Sequence, residues 1–74
     1  MNYSVAKTNT ADHYSCEDFG QFSSKSEAKK ECFRRYLEAK RSGENKKTVY
    51  DLVFYVYDEK NEKTVYEKFL SSKK

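Results

Sequence analysis

Three side chains in this sequence offer soft ligands to a metal: His13, Cys16 and Cys32. A structural zinc site takes four ligands, usually from closely spaced pairs. Three scattered candidates do not make that set, so no metal is expected. Cys32 falls on the apolar side of a helical pattern, where a thiol behaves as a small buried hydrophobe. The competing arrangement is a Cys16–Cys32 bridge across a strand–helix contact. It needs an oxidising compartment, and no secretory signal or membrane-spanning apolar run is visible. Two reduced thiols and a cytoplasmic location are therefore expected.

The remaining catalytic chemistries are also poorly served. Asp18-Phe19-Gly20 spells the metal-binding triplet of protein kinases. The accompanying kinase loops are missing, and the chain is several times too short. There is no Gly-rich phosphate loop. Acid–base or nucleophilic catalysis needs a pocket with convergent polar groups, and 74 residues leave little room for one. Most Asp and Glu residues stand beside Lys or Arg, as solvated pairs do. The expectation is a protein without enzymatic chemistry and without a cofactor.

Recognition is what remains. The chain holds 7 Tyr and 5 Phe but no Trp, and 36% of its residues are charged. Twelve aromatics, each able to bury roughly 150–250 Å², can form the core that few aliphatics would. The net charge is +3, but it is unevenly placed. Residues 25–47 carry nine basic and four acidic side chains, while residues 48–74 carry five of each. A concentrated positive excess suits an acidic or nucleic-acid partner; it also suits a merely solvated helix. The sequence pI of about 8.8 falls short of the pI above about 9 usual for nucleic-acid-binding domains.

The elements that must position these residues are legible from periodicity. Asn2 to Lys7 alternates apolar and polar residues as a short strand does. A second strand is expected from about His13 to Asp18, with Phe19-Gly20-Gln21-Phe22 as a turn. Ser24 and Glu27 fit a capping box, and the helix runs to about Ser42. Gly43 then suits the left-handed residue beyond its last turn. Ala28, Cys32, Phe33, Tyr36, Leu37 and Ala39 fall within one half of the helical wheel, a core stripe. Thr48 to Tyr57 reads as a strand, and Tyr50, Leu52, Phe54 and Val56 form its helix-facing side. Residues 58–62 make a turn in which Asn61 takes the positive φ, and Thr64 to Leu70 returns antiparallel. The inward face of that return strand stays open between Val65 with Phe69 and Tyr66 with Leu70. Together this is one α+β domain over residues 1–74, with one helix packed across a small antiparallel sheet of three or four strands. Its order is β(β)αββ, and residues 71–74 form a frayed tail.

Two surfaces then qualify for binding. Tyr55 and Tyr57 should point away from the helix, with Tyr66 across from Tyr55 and Asp51, Asp58 and Glu59 at the border. Tyr is enriched in protein-binding hot spots, and acidic neighbours repel phosphate. The second surface is the basic helix row Lys30, Arg34 and Arg41, extended by Lys46 and Lys47. It could serve a protein partner or, as the alternative, bind nucleic acid directly. In size and element order the chain resembles small phage-encoded inhibitors of host defence, some anti-CRISPR proteins among them. That resemblance includes no sequence motif and carries over no residue. It implies a stoichiometric binder, in the host cytoplasm, that occludes a nucleic-acid-handling protein and has no chemistry of its own.

Overall fold

The computed structural model describes residues 2–10, 16–47 and 50–71. In chain order it contains β1 (Tyr3–Asn9), β2 (Glu17–Phe22), α1 (Lys25–Ser42), a 3₁₀ turn (Glu44–Lys46), β3 (Leu52–Asp58) and β4 (Lys63–Leu70). The four strands form one antiparallel sheet in the order β2-β1-β3-β4. The helix packs on one side of it, as the α+β reading anticipated. No helix is long and apolar enough to cross a membrane among the described residues.

Strand alternation sorts the residues between the two sides of the sheet. Leu52, Phe54 and Val56 of β3 are buried beneath the helix together with Val5, Leu70, Ala28, Cys32 and Ala39. Val5 pairs with Val56, and Leu52 with Leu70, so three strands contribute apolar side chains at matching heights. Phe54 is the largest fully buried side chain. Its ring stacks on Phe19 at 6.4 Å and meets Tyr36 edge-on at 6.1 Å. Tyr50 packs against this core as expected, although it stands in a bend before β3 rather than inside the strand. Thr48 and Val49, assigned to the same strand from sequence, lie outside the described residues.

The helix begins where its cap residue dictates. Ser24 is extended, and its hydroxyl accepts from the Glu27 amide at 3.5 Å. At the other end Gly43 adopts φ 75°, and its amide donates to Lys40 and Ala39 carbonyls. A left-handed residue there favours glycine. The apolar stripe is narrower than the wheel suggested. Ala28, Cys32 and Ala39 are buried and Tyr36 and Leu37 half-buried, but Phe33 stays 40% exposed, stacked on Tyr36.

Both outer strands are irregular, which corrects one sequence expectation and decides a face that the sequence left open. Phe19-Gly20-Gln21-Phe22 is strand rather than turn. The register with β1 shifts between Val5 and Ala6, so that Gly20 opposes Val5 and Asp18 opposes Ala6, leaving Phe19 as the extra residue. Gly20 sits in this bulge with a φ of 115°, a conformation that L side chains rarely adopt. Glycine marked a bulge here. The bulge turns Phe19 toward the helix, against Phe54. The remaining part of the expected second strand, residues 13–15, lies outside the described residues. In β4 the register shifts between Val56 and Tyr57, which leaves Val65 as the extra residue. Tyr66 and Leu70 therefore face the helix, and Val65 also packs against the core.

The β3–β4 turn is held by Asp58, which is buried at the strand end. Its Oδ1 accepts from the Lys60 and Asn61 amides, and its Oδ2 from the Asn61 side-chain amide at 2.7 Å. Asn61 is thereby committed to Asp58, and the positive φ of 52° falls on Glu62 instead.

Candidate interaction surface

Among the described residues no element covers the side of the sheet opposite the helix. β3 presents Val53, Tyr55 and Tyr57 there, and β4 presents Thr64, Glu67 and Phe69. Phe69 is 57% exposed, the most exposed large hydrophobic residue described. β1 contributes only small residues, Ser4, Ala6 and Thr8, which oppose Tyr57, Tyr55 and Val53. Small residues on an inner strand beside tyrosines on the next leave a groove along β1. It has a volume of about 370 Å³, with Ser4 and Ala6 as its floor. Tyr55 and Tyr57 stand on one bank, Cys16 and Asp18 on the other. Glu59 closes one end, accepting from the Ser4 hydroxyl at 2.6 Å.

Tyr55 and Cys16 reach across this groove, hydroxyl to thiol at 3.1 Å. Burial pushes the Tyr55 hydroxyl up to about 12, helped by the Cys16 contact and by Asp18. Tyr55 is therefore a neutral group at physiological pH. Cys16 and Cys32 are both free thiols, Cys16 exposed at the open face and Cys32 buried under the helix. The sheet separates them. Burial pushes the Cys32 thiol up to about 11. No three metal-ligating side chains converge among the described residues.

The tyrosine surface anticipated from sequence is thus partly regrouped. Tyr55 and Tyr57 lie side by side on the open face, but Tyr66 does not join them. The β4 bulge puts Glu67, not Tyr66, opposite Tyr55 and turns Tyr66 to the helix side against Val56. There Lys29 Nζ sits 5.2 Å from the Tyr66 ring centroid. Asp58 does not border the tyrosines either, because it faces the helix side and is spent inside its own turn. Phe69, Glu67 and Cys16 take the places on the open face. Period-two counting could have found Phe69 and Glu67 had the bulge been legible.

The basic residues behave differently from one another. Arg34 is clamped within the helix, with Nη2 2.6 Å from Glu31 and Nη1 2.6 Å from Glu38. Arg35 Nε meets Glu31 at 2.7 Å, and its guanidinium lies 4.5 Å from the Phe19 ring centroid. Arg34 foremost, with Arg35, holds the Glu31 carboxyl below its ordinary value. Lys30, Arg41, Lys46 and Lys47 are exposed and form no ion pair among the described residues. They are strung along the helix and the turn after it. Lys7, which no motif singled out, pins β1 to two neighbours. Its Nζ lies 2.6 Å from Glu44 and 3.0 Å from Glu17. Burial works against its charge, but the bonds to Glu44 and Glu17 outweigh that and raise its pKa.

Charge is segregated as a result. The strands place only acidic charge on the open face, Asp18 and Glu67, and Glu59 reaches it from the turn. Lys63 and Lys68 of β4 both fall on the helix side, where Lys68 lies over Phe33. Neither protein-family models nor characterised proteins nor solved structures give a match to this chain.

Proposed function

We propose that this chain is a non-enzymatic protein-binding module, an inhibitor or adaptor that makes its contact through the open sheet face. The observation that carries this reading is the helix-free side of the sheet, where Tyr55, Tyr57 and the exposed Phe69 share one face. Tyrosines supply large, amphipathic contact area at small entropic cost, and an apolar centre with a polar rim is the usual anatomy of an interface. The resemblance in size and element order to phage-encoded inhibitors of host defence gives the reading its direction. The partner would be a bacterial nucleic-acid-handling complex, blocked by occlusion.

The rival reading is direct nucleic-acid binding by Lys30, Arg34, Arg41, Lys46 and Lys47. Four of these are exposed and unpaired among the described residues, which favours it; the clamping of Arg34 by two glutamates weighs against it. Capture from bacterial lysate, with and without nuclease, separates the two. The expected result is a protein partner retained after nuclease treatment and weakened about 30-fold by Tyr57→Ala, the loss of a hot-spot side chain worth ~2 kcal/mol. Tight oligonucleotide binding that falls steeply with salt, through released counterions, and is lost in Arg34→Glu/Arg41→Glu would overturn the proposal.

A further inference from the structure

We infer that the partner surface received by the open sheet face is an arginine-rich patch of another protein. This rests on the reading above that the open face is the contact, and it adds the chemistry of what sits there. The helix side of the same molecule displays how this fold holds a guanidinium. Arg35 lies 4.5 Å over the Phe19 ring while its Nε bonds Glu31 at 2.7 Å, an aromatic face and a carboxylate acting together. The open face repeats those two ingredients. Tyr55 stands opposite Glu67 across the β3–β4 ladder, and Asp18 lies on the far bank of the groove from it. Tyr57 lines the same groove as Glu59. Among the described residues the strands place no cation on this face to occupy them.

Guanidinium suits this arrangement better than ammonium does. It is planar, stacks on aromatic rings, donates to carboxylates in a fixed fork, and is more weakly hydrated. Phosphate is excluded by the same carboxylates, so a nucleic acid does not fit this side. Lys30, Arg41, Lys46 and Lys47 lie on the helix and the turn after it, and Lys63 on the helix side of β4, which leaves the acidic face of the strands to meet a basic partner.

The test uses the full chain, isotope-labelled for amide NMR, titrated with nona-arginine and separately with oligothymidylate. Nona-arginine should shift the amides of Asp18, Tyr55, Tyr57, Glu67 and Phe69. The double variant Asp18→Asn/Glu67→Gln, with melting unchanged, should bind it about 10-fold more weakly through the loss of two exposed charge pairs. The change at position 18 keeps a side-chain oxygen to accept from the Gly20 amide, as Asp18 does at 3.1 Å. Shifts confined to the helix carboxylates Glu27 and Glu38 would overturn the inference. So would oligothymidylate shifting Tyr55 and Tyr57, or concentration-dependent self-association abolished by the double variant, which assigns the face to a second copy. In the lysate capture, a partner lost by Tyr57→Ala but held equally by the double variant would overturn the inference alone. A partner unaffected by either would remove the open-face reading and the inference with it.

Discussion

Replacing Phe54 by alanine tests the packing at its centre. The side chain is 1% exposed and touches rings on two elements, Phe19 of β2 and Tyr36 of α1. A buried Phe→Ala change costs roughly 3–5 kcal/mol through lost transfer energy and the cavity left behind. Each aromatic pair adds ~0.5–1.5 kcal/mol beyond its buried area, which places Phe54 toward the upper end. A domain of this length has about 4–11 kcal/mol of total stability, at roughly 0.05–0.15 kcal/mol per residue. The variant should therefore lose a third of its stability or more. Urea unfolding followed by tyrosine fluorescence and far-UV dichroism measures it. With a slope of about 1 kcal/mol per molar for so small a protein, the midpoint should fall by ~4–5 M. Phe69→Ala is the matched control, because Phe69 stands on the opposite side and is 57% exposed; it should cost about 0.5 kcal/mol or less. A Phe54→Ala midpoint within about 1 M of wild type, or a Phe69→Ala loss of equal size, would refute the assignment of sheet faces.

Two further outcomes follow from titratable groups. The Asn61 side chain first, with backbone amides and Lys63, holds the Asp58 carboxyl below its ordinary value of 3.8. A depressed folded pKa means that its contribution is present above that value and is lost as pH falls through the lower folded one; Glu31 adds to the loss below its ordinary 4.5. Asp58→Asn should lower the urea midpoint at neutral pH yet flatten its acid decline, and parallel wild-type and variant curves down to about pH 2 would contradict this. For the thiols, a disulfide-exchange reagent should titrate Cys16 at once in the native protein and Cys32 only on unfolding, since Cys32 is fully buried with its pKa pushed up to about 11. Fewer than two thiols in denaturant, or two reacting rapidly in the native state, would be incompatible with the structure.

The elements most visible in the sequence were those whose ends and periods are set locally. Ser24, Glu27 and Gly43 bounded the helix because capping is a property of a few adjacent residues. Leu52, Phe54 and Val56 announced a half-buried strand by alternation alone. Position 20 was opaque for a definite reason. Phe-Gly resembles a turn until the opposing strand is known, and only pairing with Val5 and Ala6 makes Gly20 part of a bulge. The same non-local fact decided the open face. A single extra residue at Val65 exchanges the faces of everything before it relative to everything after, which carried Tyr66 away from Tyr55 and brought Glu67 in. Arg34 likewise looked like one member of a basic row, although the glutamates at i−3 and i+4 that clamp it were both in view.

The irregularities in β2 and β4 have a consequence for behaviour in concentrated solution. Among the described residues the sheet ends in two outer strands, whose edge amides and carbonyls would, on a straight ribbon, template another strand edge-on. Here Phe19-Gly20 interrupts one margin and Val65 the other. A strand approaching either side meets a ladder that changes phase part-way, and it finds bonding groups in register only over a short stretch. For a chain with so many β-prone aromatic residues, these two interruptions work against edge-to-edge zipping.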